Sequence, residues 1–191
     1  GDLAIVGRIE DVAAGEQIYA ARFLGARGYL VTFKKVDPLF TLDLSDPKSP
    51  RLVGELKVPG YSDYIHPLGA NHLLTIGKDA VDMGDFAWYQ GIQLSIFDVS
   101  DFANPKLVDA EVIGDRGTES EALYDPHAFN YFSPTGQLAI PMRIADGAGP
   151  MPSSSGKPVF NGLCLFAIAP ETGIETLARI ATAEPQASPW G

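Results

Sequence analysis

An internal repeat constrains the fold of this chain more than any other feature. Residues 42–56 read LDLSDPKSPRLVGEL, and residues 97–111 read FDVSDFANPKLVDAE. Aligned without gaps, the two segments are identical at six of fifteen positions. Each has an apolar strand, a turn built from Asp, Ser and Pro, and a second apolar strand. Recurrence of such a unit predicts a fold assembled from similar modules placed side by side.

Further strands extend the repeat into a four-stranded unit. Tyr29–Phe33 resembles His72–Ile76, and the second copy carries extra residues in the polar stretch 78–90. A fainter third copy places strands at residues 127–132, 137–143, 163–168 and 174–180. Residues 92–96 alternate apolar and polar side chains, which predicts a strand with two different faces. In the fourth strand of the second copy, the alternation of apolar and polar residues is interrupted near Asp109, which indicates a β-bulge.

Four-stranded units with a basic period in the forties are typical of β-propeller blades. We therefore predict an all-β propeller fragment of about three antiparallel blades plus one N-terminal strand. The predicted blades span residues 17–58, 59–113 and 114–180, and residues 1–16 hold a strand of a preceding blade, at Leu3–Val12. Propellers have about 4–8 blades, so three cannot close a ring.

Strings of residues that resemble a known family lie at residues 29–33, 36–40, 42–47, 54–62, 94–100 and 120–125. The family that they resemble is a group of bacterial secreted proteins. That family has a C-terminal β-propeller domain that is distantly related to WD repeats. The resemblance covers roughly residues 18–143, and the repeated Asp-x-Ser-Asp element also resembles a repeat of prokaryotic cell-surface propellers. It implies a propeller fold and a secreted or cell-envelope location, and it supplies no catalytic or cofactor-binding residues.

Charge and hydropathy exclude some classes of partner. The chain has 24 acidic and 14 basic residues and a net charge of −10, which argues against binding to nucleic acid or to an anionic membrane surface. It contains no apolar run near the roughly 20 residues that a membrane-spanning helix needs, so we expect no direct membrane insertion. Open propeller edges would expose apolar strands, so we expect a homodimer through them.

The polar stretch of the second copy contains a candidate metal site. Asp79, Asp82 and Asp85 recur every third residue beside Trp88 and Tyr89. Carboxylates are ligands for calcium, but the spacing differs from an EF-hand loop, and a solvated acidic loop is the more common explanation. The aromatic residues of the loop form either an exposed recognition patch or a lid folded over their own blade. We assign no other cofactor.

Other polar residues have structural explanations. The repeated Asp43 and Asp98 could hold a cation, but Asp and Ser in turns usually bond their own backbone. His66 and His127 fall in successive blades without an acidic cluster, which is a weak zinc signal. Cys164 lies between two leucines and is interpreted as a small buried hydrophobe.

No catalytic motif is present, and we assign no catalytic residue. The chain lacks a G-x-S-x-G elbow, an H-E-x-x-H helix and a dinucleotide fingerprint. The expected function is non-enzymatic binding of a protein or a glycan through loops at one end of the blades. The alternative is an enzyme, of hydrolase or lactonase type, whose site lies at the propeller axis and is incomplete in this chain.

Overall fold

The structure is a computed structural model, which describes residues 3–33, 37–58, 60–82, 87–149 and 154–182. Within these ranges, only the backbone is described for Phe33, Asp37, Asp82 and Ala87. Twelve β-strands account for most of the described chain, with two single-turn 3₁₀-helices at Glu121–Leu123 and Pro126–Ala128. The predicted all-β class is confirmed.

The strands form three separate antiparallel sheets of four. The sheets follow the chain, so each is one blade. Blade one consists of β1 (Gln17–Leu24), β2 (Arg27–Phe33), β3 (Asp37–Asp43) and β4 (Arg51–Val58). Blade two consists of β5 (Tyr61–Leu68), β6 (His72–Asp82), β7 (Ala87–Asp98) and β8 (Lys106–Ile113). Blade three consists of β9 (Asn130–Phe132), β10 (Gln137–Asp146), β11 (Lys157–Ala169) and β12 (Gly173–Ala181).

Neighbouring strands in each blade are joined by hairpins, so the blades have two distinct ends. The turn end carries the repeated turns at residues 44–50 and 99–105, which join the third strand of a blade to the fourth. The hairpin end carries the junctions between the second and third strands. There β6 and β7 pair out to Asp82 and Ala87, and β10 and β11 pair out to Asp146 and Lys157.

The core lies between the blades. Tyr29, Val31 and Leu39 of blade one pack against Leu73 and Phe97 of blade two, together with other buried residues. A larger cluster joins blade two to blade three and includes Leu74, Ile92, Leu138, Ile140 and Phe166. Burial of these apolar faces holds the blades together.

The central strand β7 shows why the alternation in residues 92–96 was only partly informative. Ile92, Leu94 and Ile96 are buried as the pattern predicts, but Gln93 and Ser95 are buried as well. The two polar side chains satisfy each other through a hydrogen bond from Gln93 Nε2 to Ser95 Oγ of 3.0 Å. A strand in the middle of the blade stack has neighbours on both faces, so polar side chains do not mark a solvent face.

A bulge interrupts the outermost strand of every blade. In β8 the register shifts so that Ile96 pairs with Asp109 while Phe97 pairs with Leu107, which leaves Val108 as the extra residue. The bulge predicted near Asp109 is therefore confirmed. Equivalent shifts place Val53 of β4 and Leu177 of β12 at the same position in their blades. The bulge thus belongs to the repeat and is not a local irregularity.

The inner edge of blade three differs from the prediction. The strand expected over residues 127–132 is confined to Asn130–Phe132, because Asp125 caps a 3₁₀ turn by accepting a hydrogen bond from the backbone N–H of His127 at 2.9 Å. Residues 118–120 take part of the missing strand's place. Glu119 forms an isolated antiparallel bridge with Arg143 of β10.

The N-terminal residues lie against blade one. Residues 3–16 join no strand ladder among the described residues, yet Glu16 accepts a hydrogen bond of 2.6 Å from the hydroxyl of Thr32. A Cβ atom at Gly7 would clash with the carbonyl oxygen of Pro47, so the backbone there approaches the repeated turn closely. That residues 3–12 form a strand of a preceding blade stays a prediction.

No helix in the described ranges is both long and apolar enough to span a membrane.

Candidate functional site

A pocket opens at the hairpin end, between blade two and the start of blade three. It has a volume of ≈ 500 Å³. Its walls combine aromatic rings with acidic and basic side chains that come from separate stretches of sequence. The principal lining residues are Tyr61, Asp63, Lys78, Tyr89, Arg116, Glu119 and Tyr124.

Lys78 provides a buried positive charge in the floor of the pocket. Its side chain is only 10% exposed, and its Nζ donates hydrogen bonds to the carbonyl oxygen of Thr118 and, at 2.9 Å, to Glu119 Oε1. A buried ammonium group must be paired in this way, because leaving it unsatisfied costs several kcal/mol. Lys78 follows the apolar strand segment His72–Gly77, so β6 itself carries the charge into the interior.

The backbone fixes the position of Glu119. Its N–H donates to the carbonyl oxygen of Arg143, and the N–H of Arg143 donates to the carbonyl oxygen of Glu119, both at 2.9 Å. On either side, the hydroxyl of Thr118 donates to the Ala145 carbonyl at 3.2 Å and that of Ser120 to the Pro141 carbonyl at 2.6 Å. The carboxylate is thus presented by a segment tied to β10 and not by a free loop.

Among the described residues, Asp63 is the titratable group whose pKa is moved most strongly toward neutral pH. The register of β5 shifts between Ser62 and Tyr64, so Asp63 is the bulged residue, and bulges commonly redirect a side chain at a functional site. Burial raises its pKa, the charge of Lys78 lowers it and that of Glu119 raises it, with a net value of about 6. Asp63 therefore exchanges a proton close to physiological pH.

Aromatic rings line one wall. The ring of Tyr61 lies between those of Tyr19 and Tyr89, with a centroid separation of 4.9 Å on each side. Tyr89 is 39% exposed and Tyr124 is 74% exposed, so both offer ring faces to solvent. Burial and the neighbouring acidic groups raise the pKa of Tyr61, which keeps its hydroxyl protonated and able to donate.

Arg116 connects the pocket to the extended hairpin of blade two. Its guanidinium stacks on the ring of Trp88 at 5.2 Å from the centroid, and its Nε donates to the carbonyl oxygen of Tyr89 at 3.2 Å. The same guanidinium donates to the carbonyl oxygen of Ser154 at 3.3 Å, in the hairpin of blade three. Trp88 is thus covered by its own protein, whereas Tyr89 remains accessible. Arg116 thus bonds both hairpins and lies at the edge of the pocket.

None of the three aspartates predicted to bind a metal is a described lining residue of this pocket. Asp79 lies in β6 and is half-buried, which raises the pKa of its carboxyl group. Asp82 is described by its backbone alone, and Asp85 lies outside the described residues. In the described part of the chain, no three His, Cys, Asp or Glu side chains are grouped so as to hold a metal ion. The calcium hypothesis for these three aspartates stays untested.

The repeated turns use their aspartates locally. Asp43 accepts from the N–H of Ser45 at 2.9 Å, and its counterpart Asp98 accepts from Ser100 at 2.8 Å. Asp46 and Asp101 likewise accept from backbone N–H groups within their own turns, at 2.9 and 3.2 Å. These bonds agree with the structural interpretation of the turns.

The histidines and the cysteine occupy unrelated places. His66 lies among aromatic rings, 5.4 Å from Phe129 and 5.2 Å from Tyr131 between centroids, and burial lowers its pKa. His127 is on the surface, where its Nδ1 lies 2.8 Å from Asp125 Oδ1. Cys164 is fully buried in β11, and burial raises the pKa of its thiol.

Sequence reasoning did not identify Asp63, Lys78 or Glu119 as a group. They are brought together by a bulge, a central strand and an isolated bridge, none of which has a motif. Lys78 gave a weak indication of the site. A charged residue that directly follows an apolar strand segment is seldom buried without a partner.

The comparisons with known proteins identify the family of this chain. The family model described as Beta propeller domain matches residues 1–189. An uncharacterized protein of Methanocaldococcus jannaschii is 45% identical over 128 residues, covering 67% of this chain and 19% of its own length. Another, of Archaeoglobus fulgidus, is 38% identical over 152 residues, covering 76% of this chain and 23% of its own length.

These curated relatives are archaeal, and the chain spans only about a fifth of their length. The sequence resemblance implied a bacterial source, secretion and a relation to WD repeats. These matches do not address those features. What the match over nearly the whole chain establishes, together with the three four-stranded blades, is that the chain belongs to the beta propeller domain family.

Proposed function

We propose that this propeller segment is a binding module that takes a polar ligand, of glycan type, in the pocket at the hairpin end. The observation that carries the proposal is the composition of the pocket wall. The rings of Tyr89 and Tyr124 are accessible there next to the charged groups of Asp63, Lys78 and Glu119.

The chemistry of a sugar fits such a wall. A pyranose ring has apolar C–H faces that stack on aromatic rings, and hydroxyl groups that both donate and accept hydrogen bonds. Glu119 and Asp63 can accept from the hydroxyls, and Arg116 stands on the rim as a donor. The mixture of charges argues against a strongly anionic or strongly cationic ligand.

The proposed location of the module is outside the cell or in the cell envelope. The resemblance to secreted and cell-surface propellers supports it. A protein ligand at the same pocket is the alternative, which the absence of any retained sugar would favour.

The binding proposal is tested on the complete chain with an array of oligosaccharides, followed by titration calorimetry of any sugar retained. We expect Tyr89→Ala to weaken sugar binding about tenfold, since loss of a stacking ring costs roughly 1–1.5 kcal/mol. Phe132→Ala is the control, because Phe132 is also an exposed aromatic residue, at 59% against 39% for Tyr89, but it lies in β9 and does not line the pocket. Retention of sugars by the two variants alike would contradict the proposal.

A second candidate function is acid–base hydrolysis at the same place. The observation that favours it is Asp63, whose pKa of about 6 suits a general acid or base. Chromogenic esters, lactones and glycosides are suitable probes. If the chain is a hydrolase, turnover depends on a group that titrates near pH 6, and Asp63→Asn abolishes it while the protein remains folded. If the chain binds sugar but turns over none of these probes, the hydrolase candidate is rejected and only the binding function is supported.

A further inference from the structure

Asp63 differs from the other carboxylate of the pocket in having no direct partner. It is half-buried at the bulge of β5, and its side chain lines the pocket. Among the described residues, its carboxylate takes part in no hydrogen bond and no ion pair. Glu119, by contrast, forms an ion pair of 2.9 Å with Lys78. A half-buried carboxylate without such a partner is costly to ionise, so Asp63 is the acidic group of this pocket that gains most from a ligand.

The two basic groups of the pocket are engaged with other residues. The ammonium group of Lys78 donates to Glu119 and to a backbone carbonyl oxygen, and it acts on Asp63 through its charge alone. The guanidinium of Arg116 donates to backbone carbonyl oxygens in both extended hairpins. A direct counter-charge for Asp63 can therefore be supplied by a bound ligand.

The groups that face Asp63 set the charge that such a ligand should carry. They are Tyr61 of the same strand, Lys78 of β6 and Glu119 of the segment bridged to β10. Lys78 and Glu119 offset each other as an ion pair. The hydroxyl of Tyr61 stays protonated, because burial and the charge of Asp63 raise its pKa. The charge left at this wall is the single negative charge of Asp63, which complements a group with one positive charge.

An ammonium group fits this wall better than a metal ion does. Calcium takes about 6–8 oxygen ligands, whereas the described lining offers the carboxylates of Asp63 and Glu119, and Lys78 is bonded to the second. A primary ammonium group has three donors and pairs with one carboxylate. The accessible rings of Tyr89 and Tyr124 lie in the same wall, where the face of a sugar ring can stack.

We propose that the ligand of this pocket is an amino sugar whose primary ammonium group pairs with Asp63. The inference rests on the proposed function, because it names the class of glycan that the same pocket selects. Asp63 is then the specificity-determining residue, since only a sugar with an ammonium group offsets the cost of its half-buried charge.

Three tetrasaccharides test the assignment: those of cellulose, of chitin and of fully deacetylated chitosan. They share one backbone and differ at a single carbon of each ring, which carries a hydroxyl, an acetamide or an amine. Titration calorimetry at pH 6, where most of the sugar amines are protonated, gives the affinity of the complete chain for each. We expect the chitosan tetramer to bind about tenfold more tightly than the cellulose tetramer, as a charge-assisted hydrogen bond requires.

Asp63→Asn should remove this preference, so that the ratio of the two affinities falls to about one. Asp109→Asn is the matched control and should keep the preference, because Asp109 is also half-buried but bonds the N–H of Ile174 and lies outside the pocket. Calorimetry in two buffers of different ionisation enthalpy adds a second readout. At pH 6 the wild type should release about half a proton more than Asp63→Asn on binding the chitosan tetramer, since the ammonium group stabilises the ionised carboxyl.

The outcomes separate this inference from the proposed function. The chain has a net charge of −10 and attracts any cationic oligomer, so a preference that survives in Asp63→Asn would be non-specific and would overturn the amino-sugar assignment. Equal affinities of the wild type for the cellulose and chitosan tetramers would overturn it too, and both results leave glycan binding in place. If the oligosaccharide array retains only sugars without an amine, the assignment also fails alone. Retention of no sugar at all would overturn the assignment together with the proposed function.

Discussion

The two ends of the blades use acidic side chains in opposite ways. At the turn end, Asp43 bonds the hydroxyl and N–H of Ser45 and the guanidinium of Arg51, which together lower its pKa to about 2. At the hairpin end, burial raises the pKa of Asp63 to about 6. The first aspartate is stable as an anion, whereas the second is held where its charge is costly. The comparison teaches that the repeated carboxylates stabilise the turns of the blades, whereas the unrepeated carboxylate of Asp63 lies where burial disfavours its charge.

The largest expected effect comes from the cation that holds the hairpin end together. Lys78→Met removes the partner of Glu119 and of the Thr118 carbonyl and leaves Asp63 without its nearest positive charge. We expect the free energy of unfolding to fall by about 2–3 kcal/mol, since breaking a buried pair is costly even where one partner is partly exposed. Urea unfolding at pH 7 measures it.

Lys57→Met is the matched control for that experiment. Lys57 forms an exposed ion pair of 3.4 Å with Glu55, and such pairs contribute about 0–1 kcal/mol. Equal losses in the two variants would show that the Lys78 cluster is no more than an ordinary surface network.

The next effect concerns the pH dependence of stability. The pKa of Asp63 is raised in the folded state to about 6 from the usual 3.8. The folded protein therefore holds its proton more tightly, and stability falls as pH rises from about 4 to 6. Asp63→Asn removes this cost. At pH 7 we expect the variant to be more stable by roughly 1–2 kcal/mol, a figure that allows for solvent screening of a half-buried group.

Thermal unfolding of both proteins from pH 4 to pH 7.5 measures this difference. The advantage of Asp63→Asn should vanish near pH 4, where the wild-type carboxyl group is protonated in the folded state too. An advantage that stays constant with pH would show that the charge of Asp63 is not the cause. Asp109→Asn is the control, because Asp109 is also partly buried but bonds a backbone N–H at the blade joint.

Local chemistry explains which of these features the sequence could predict. The four-stranded blades and the bulge near Asp109 follow from apolar periodicity and from turn residues, and both are present in the structure. The burial of Gln93 and Ser95 depends on neighbouring blades, which strand alternation does not describe. The pocket was not predictable because Asp63, Lys78 and Glu119 meet only through register, by way of a bulge in β5 and a bridge to β10.

A smaller effect is expected at the turn end. Asp98→Ala removes the acceptor for the N–H of Ser100 in the turn of blade two. The exposed N–H is then solvated by water, so we expect a loss of about 0.5 kcal/mol in the free energy of unfolding at pH 7. Because the pKa of Asp98 is lowered in the folded state, this contribution is present above the usual carboxyl pKa and is lost as the pH falls below it. Urea unfolding should therefore show a smaller difference between wild type and variant at pH 3 than at pH 7.

The smallest effect on stability is expected from added calcium. This experiment tests whether any acidic cluster binds a metal ion, unlike the turn aspartates and Asp63. The turn aspartates are engaged by their own backbone, and Lys78 occupies the position beside Asp63 and Glu119 that a cation would take. A bound ion stabilises the folded state in proportion to its occupancy, so saturating calcium should leave the melting temperature of the chain unchanged. The triple variant in which Asp79, Asp82 and Asp85 are replaced by Asn should melt at the same temperature with and without the ion. A calcium-dependent rise of several degrees in the wild type that disappears in this variant would establish the loop as a calcium site and overturn the expectation.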